Sequence, residues 1–308
     1  MAPKLKTVGI LHSAGQPLNK PVIIRPPCFS TAISRPPTWT LNLESWSKVT
    51  AFSELRILKV ATIIDIRLLG WARRCDFRSL KSLHLRLEAG IWGDNCLMDE
   101  KASFLLRALP SLDSIKLMRY CGDMSFQEIL EHGTLRRLCI LPGAERAVRP
   151  FVMTREKIDS ILAYCPRIED LTVSIPRTNG DFREVEIHRA LAQMPRLKKL
   201  EIFFDCSGFY DWRKGGSSLQ PTSPLGYADI QDILINASIY EPLIYSIFRT
   251  IIEASPREFP PLQRLKAVIF DFGNLGVEYT ADLDAIVQFL FRKWQCIQVQ
   301  EMVMTTLS

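Results

Sequence analysis

Cys165-Pro-Arg-Ile-Glu-Asp-Leu-Thr-Val-Ser-Ile175 is followed, twenty-nine residues on, by Met194-Pro-Arg-Leu-Lys-Lys-Leu-Glu-Ile-Phe-Phe204. Each stretch is Pro-Arg, an aliphatic residue, two polar residues, Leu, one residue and another aliphatic. The underlying pattern is Φ-x-x-Φ-x-Φ, where Φ is apolar. It recurs at Leu55/Leu58/Val60, Leu80/Leu83/Leu85, Leu112/Ile115/Leu117, Leu135/Leu138/Ile140, Ile168/Leu171/Val173 and Leu197/Leu200/Ile202. Weaker copies stand at Leu262/Leu265/Ala267 and Trp294/Ile297/Val299, with a further trace at Leu41/Leu43. The first positions of the six strong copies lie 23 to 33 residues apart, a spacing close to that of leucine-rich repeats.

Within each copy the period is two, so the alternating apolar residues form a short strand with one buried face. Between copies the period is helical. Residues 100–109, Arg155–Tyr164 and 185–192 carry apolar side chains three and four apart, which places them on one face. Thr154 ahead of Lys157 is a helix start. Pro110, Pro166 and Pro195 each follow a helix end, where proline cannot continue the helix. A strand–turn–helix unit of this kind cannot bury its own apolar face and has to stack on a neighbour. The expectation is an α/β fold, an irregular leucine-rich-repeat solenoid with a curved parallel sheet lined by helices. The competing reading is a doubly wound sheet with leucine-rich strands.

The chain divides accordingly. Residues 1–37 hold Arg-Pro-Pro at 25–27 and again at 35–37, which favours extended or poorly ordered backbone. The repeat region is expected over 38–304. It carries an insertion loop at about 206–227, rich in Gly, Ser and Pro, and a helical closing block from 228, with a kink or split at Pro242 and a last helix over 281–293.

Composition sets limits on function. Hydrophobic residues make up 47% and charged residues 23%, values of a well-cored globular protein. The net charge of +6 is mild and lacks the concentrated basic tracts of a nucleic-acid footprint. Ile233–Ala254, the longest apolar run, contains Glu241, Pro242 and Arg249, so it reads as a buried helix rather than a membrane span. Eight cysteines are scattered without a C-x-x-C pair, and the N-terminus has no signal-peptide pattern. The expected compartment is therefore cytoplasmic or nuclear, with reduced thiols. Asn236-Ala-Ser238 matches a glycosylation sequon, read as a chance match.

Three stretches carry a family resemblance: TREKIDSILAYCPRIEDLTVSIPRTNGD (154–181), EVEIHRALAQMPRLKKLEIFFDCS (184–207) and DIQDILINASIYEPLIYSIFRTI (229–251). In these the chain resembles fungal F-box/leucine-rich-repeat proteins. The resemblance implies a substrate receptor of a cullin-type ubiquitin ligase, in which an F-box near the N-terminus docks on a Skp-type adaptor and the repeats hold the target. An F-box shows a Leu-Pro-x-Glu-Ile run followed by amphipathic helices, and residues 1–50 show Pro-rich sequence instead. The module is absent, degenerate or lost upstream of Met1. A stand-alone interaction scaffold is the alternative role.

In Φ-x-x-Φ-x-Φ the residues flanking the inward ones face outward, onto the concave side of a solenoid. Across the copies they include Lys59, His84, Arg86, Lys116, Arg137, Lys199, Glu201, Phe203, Arg264 and Lys266. Asp170 and Glu201 are the only acidic members of this band. Such an array suits an acidic or phosphorylated target protein through charge-assisted hydrogen bonds. A second candidate is the 206–227 loop, whose Tyr210, Trp212 and Tyr227 are either partner anchors or plugs against the repeats.

Catalysis is not expected. Asp271-Phe-Gly273 follows a hydrophobic strand, but too little chain follows it for a haloacid-dehalogenase domain, and the other kinase motifs are missing. The four histidines, His12, His84, His132 and His188, have no G-x-S-x-G elbow and no His-Glu-x-x-His spacing. His132 and His188 lie near helix ends, where imidazoles are usually solvated. No cofactor, nucleic acid or membrane is implied. A small hydrolase using Asp271 or His84 is the remaining alternative.

Overall fold

The computed structural model describes residues 7–11, 31–34, 51–61, 66–86, 95–120, 125–142, 151–205, 231, 234–236, 238–269, 293–299 and 302–307. The chain forms two compact units, Met1–Arg137 and Leu138–Ser308. Each is mixed α/β, with a mostly parallel sheet flanked by helices.

The first unit contains β1 (Thr7–Leu11), β2 (Thr31–Ser34), β3 (Ile57–Ala61), β4 (Ser82–Arg86) and β5 (Ser114–Tyr120). The strand order is β2-β1-β3-β4-β5, and every pair is parallel. Helices α1 (Ile66–Arg74), α2 (Asn95–Ala108) and α3 (Phe126–Leu130) pack side by side. Two strands thus fall within residues 1–37, where the proline content led us to expect poor order. β1 aligns Thr7 with Ile57 and Leu11 with Ala61, so this segment supplies backbone partners to the first repeat strand.

Strand β6 (Arg137–Pro142) enters the second unit, whose order is β6-β7-β8-β9-β10-β11. Its other strands are β7 (Asp170–Pro176), β8 (Lys199–Asp205), β9 (Arg264–Ile269), β10 (Lys293–Val299) and β11 (Met302–Leu307). Strands β7, β8 and β9 are parallel, whereas β10 and β11 return antiparallel. Helices α4 (Arg155–Tyr164), α5 (Phe182–Ala192) and α6 (Glu241–Ala254) pack in sequence order, and α6 also meets β10.

The inward positions of the six strong copies are buried, with Leu58, Leu83, Leu117, Leu171, Val173 and Ile202 fully so. Equivalent turns precede the strands. The first apolar residue of a copy donates its N–H to the carbonyl three residues back: Leu55 to Phe52, Leu80 to Phe77, Leu135 to His132, Ile168 to Cys165 and Leu197 to Met194. One carbonyl then accepts two N–H groups from the following copy. Arg56 O takes those of Lys81 and Ser82 (2.9 and 3.0 Å), and Lys81 O those of Asp113 and Ser114 (2.9 and 3.0 Å). Asp113 O, Glu169 O and Lys198 O do the same for 136–137, 198–199 and 263–264.

Two expectations change in detail and a third is made specific. Trp294 and Cys296 are the buried residues of β10 and Ile297 is half-buried, because the antiparallel return is not another stacked copy. Of the kink or split expected at Pro242 the structure has the split: residues 234–236 are helical, 238–240 are not, and Pro242 lies in the first turn of α6, where its missing N–H has no partner to lose. Thr172 and Ser174 of β7 are buried rather than outward-facing and solvated; Ser174 Oγ donates to Phe203 O at 3.1 Å. Leu41, Leu43 and the helix expected at 281–293 lie outside the described residues.

Leu171→Ala and Leu200→Ala should each cost about 2–5 kcal/mol through the cavity left behind, read as a lower urea midpoint. Tyr164→Ala, at a site 56% exposed, should stay within about 0.5 kcal/mol.

Candidate functional site

Parallel pairing puts in-register residues of neighbouring strands on the same face of a sheet. In the first unit the outer face therefore reads as rows. One row is Ile57, Ser82 and Ser114; the next is Lys59, His84 and Lys116; the third is Ala61, Arg86 and Met118. Lys59 is exposed and His84 and Lys116 are half-buried, while Leu58, Leu83 and Ile115 between the rows are buried beneath them. Arg137 is held to the same edge, its N–H donating to Asp113 O at 3.1 Å.

This row concentrates positive charge. Among the described residues no carboxylate pairs with Lys59, Lys116 or Arg137. Partial burial, followed by the charges of Lys59, Lys116 and Arg137, holds the His84 imidazole below its ordinary range. His84 thus stands in a line of cations that disfavour its protonation.

The second unit treats the equivalent positions differently. Glu201 lies in register between Thr172 and Lys266, and it forms an ion pair with Lys266. Lys199 lies between Asp170 and Arg264, and Phe203 is half-buried beside Ser174 and Val268. Within the basic band expected along the whole chain, Lys266 is ion-paired in the second unit, whereas Lys59, Lys116 and Arg137 of the first have no carboxylate partner among the described residues. Tyr210, Trp212, Tyr227, His12 and Asp271 lie outside the described residues.

His132 and His188 are 4% and 2% exposed, so neither is the solvated imidazole expected from its place near a helix end. His132 occupies the turn position filled by Phe52, Phe77, Cys165 and Met194 in other copies, and its Nδ1 accepts the Leu112 N–H at 3.3 Å. His188 belongs to a buried polar cluster that sequence reasoning missed. After β7 the backbone passes through Asn179 (φ 55°) and Gly180 (φ 73°). This left-handed turn aims N–H groups at Glu184, whose Oε2 accepts from Thr178 N (3.0 Å) and Gly180 N (3.2 Å). The other Glu184 oxygen pairs with Arg177, and both partners are buried. Asp181 caps α5 by accepting from Arg183 N (2.9 Å) and Glu184 N (3.2 Å). Asn236 Oδ1 accepts the Asn179 N–H at 2.8 Å.

Asn236 is fully buried, so the sequon containing it is inaccessible to a glycan in the folded unit. The available signal for the cluster was Glu184 and His188, one helical turn apart among apolar residues, directly after Asn-Gly-Asp. The Arg177–Glu184 ion pair and the amides that Glu184 accepts make this cluster a clamp on the loop between β7 and α5. A separate cleft of about 240 Å³ opens between Leu191, Met194, Ile251, Pro256 and Phe259. Ser255 and Arg257 are the polar members of its lining, and it holds no pair of titratable groups.

Among the described residues no group of three or more His, Cys, Asp or Glu side chains is arranged to hold a metal ion, and no helix is long and apolar enough to cross a membrane. No protein-family model and no curated protein matches the chain.

Burial, partly offset by Glu184 and reinforced by Arg177, pushes the His188 imidazole down to about 4. The unfolded chain binds this proton near pH 6.5 and the folded chain refuses it. The stability contribution is complete above pH 6.5 and is lost as pH falls towards 4. His188→Gln should remove up to roughly 3 kcal/mol of that acid destabilisation. Urea titrations of both proteins at pH 4.5 and 7.5 measure the difference.

Proposed function

We propose that the chain is a leucine-rich-repeat module whose function is to bind a protein, with the outer strand face of the first unit as the surface for an acidic or phosphorylated target. The observation that carries this reading is the register of Lys59, His84 and Lys116, a line of basic side chains without carboxylates to neutralise it among the described residues. A partner's acidic groups would supply that compensation, and the half-buried setting of His84 and Lys116 makes contacts there less screened than on a flat surface.

The favoured role for such a module, on its resemblance to F-box/leucine-rich-repeat proteins, is that of a receptor presenting a target to a cullin-type ubiquitin ligase. The recurrent seam of carbonyls accepting two N–H groups supports the repeat reading, since equivalent positions recur in equivalent geometry. A stand-alone scaffold uses the same face without the ligase. Affinity purification of the tagged chain separates the two: stoichiometric Skp-type adaptor and cullin support the receptor role, and their absence beside another retained partner supports the scaffold.

Lys59→Glu with Lys116→Glu should weaken binding of a polyglutamate peptide at least tenfold, a loss of about 1.4 kcal/mol or more. Lys266→Glu, at a position already paired, should change it less than threefold. Fluorescence anisotropy at low salt measures both; equal effects from the two variants would contradict the assignment of the face.

A further inference from the structure

The imidazole of His84 is placed differently from the cations around it. It stands on the middle strand of three, with Lys59 on one side and Lys116 on the other in exact register. Two strand intervals separate the lysine Cα atoms by about 10 Å, a gap that two lysine stems can close over a single small group centred above His84. On the same face, one pleat away, stand Ser82 and Ser114, each 7% exposed. Arg86 lies one pleat away on the other side, and Arg137 adds its charge from the adjoining strand start. With the half-buried Cys139 thiol, two residues beyond Arg137 on β6, these are the titratable and charged groups on this face of β3, β4, β5 and β6.

A carboxylate has two oxygens in one plane and a single charge. A phosphomonoester has three terminal oxygens on a tetrahedral centre, carries about −1.5 to −2 charge near neutral pH, and accepts several charge-assisted hydrogen bonds at once. Donors approaching from both sides and from below match the second geometry better than the first.

We propose that Lys59, His84 and Lys116 form a seat for a phosphomonoester group, and that His84 takes up a proton from solvent as the anion binds. This rests on the preceding reading of the face as an acid-binding surface and names the anion and its regulation. Burial and the two flanking lysines disfavour a third cation between them, in keeping with the lowered affinity of His84 for its proton. A seated dianion reverses that balance, because opposite charge favours the charged imidazole. Proton uptake and anion binding then reinforce each other by linkage. The seat holds a phosphorylated side chain more tightly as pH falls towards the second ionisation of the phosphate itself, near 6.

The test uses the full chain and inorganic phosphate as probe. The His84 ring resonance, assigned by its loss in His84→Gln, is titrated with pH in phosphate and in chloride at matched ionic strength. Phosphate affinity is measured by calorimetry at pH 6.5 and 8 for both proteins. The expected result is an upward shift of the His84 midpoint by about one unit in phosphate, and wild-type affinity three- to tenfold tighter at pH 6.5 relative to the same ratio in His84→Gln. Phosphate binding with an unmoved His84, or with the same pH ratio in both proteins, overturns the proton-coupled seat. Polyglutamate binding that is lost on reversal at Lys59 and Lys116, without any phosphate binding, overturns the phosphomonoester assignment and leaves the acidic-partner reading standing. Failure of the wild type to bind either probe overturns both.

Discussion

One carbonyl accepting two N–H groups from the next copy is the contact on which the described architecture depends. It recurs at Arg56, Lys81, Asp113, Glu169 and Lys198, always at the residue before a strand. Each accepted bond contributes only about 1 kcal/mol net, but the pair fixes where the following strand begins. With the start fixed, the alternation of side chains determines which residues face inward, because a slip of one residue would turn every leucine outward. The burial of Leu58, Leu83, Leu117, Leu171 and Ile202 therefore follows from a backbone seam as much as from hydrophobicity. The turn ahead of each strand, closed by a bond three residues back, brings the seam carbonyl to the same place each time.

The same register orders the outer face. A residue two positions beyond the seam carbonyl's neighbour stands beside its counterpart on the next strand, so any chemical preference at that position is summed across strands. In the first unit the preference is basic, through Lys59, His84 and Lys116. In the second, Glu201 intervenes and pairs with Lys266. A difference of one residue type at one repeat position thus decides whether the cation beside it has an ion-pair partner across the strand. The loop clamp around Glu184 serves another purpose: it satisfies the turn between β7 and α5 with a buried carboxylate, where backbone amides would otherwise lack acceptors.

Much of this was legible in the sequence, for local reasons. The six strong copies announce their strands because their period is two, and three of them follow a proline, at Pro110, Pro166 and Pro195. Helix α4 spans Arg155–Tyr164 as its spacing indicated, with Thr154 accepting from Lys157 N at its start. What could not be read depended on long-range partners. His132 is buried because it fills a turn position that its neighbours give to apolar residues, and His188 lies buried within the charge influence of Glu184, one turn earlier on α5, and of Arg177 from the preceding loop. The antiparallel direction of β10 leaves no mark in a pattern of alternating side chains, so Trp294/Ile297/Val299 resembled another copy. The charge matching of Lys266 depended on its neighbour across the strand, sixty-five positions away in the chain at Glu201. Strand β1 pairs with β3 across an intervening proline-rich stretch, which composition alone described as extended.

Native-state hydrogen exchange of the seam amides tests the central claim most directly. Ser82, Ser114, Lys199 and Arg264 each lie at a strand start where amides commonly fray, yet each donates to the carbonyl of the preceding copy. The account predicts that these amides exchange as slowly as those of Leu83, Ile115, Leu200 and Leu265 in the middle of their own strands, opening only with the unit. Exchange at the rate of exposed turns, with protection confined to the strand interiors, would contradict it, and with it the seam as the element that sets the register.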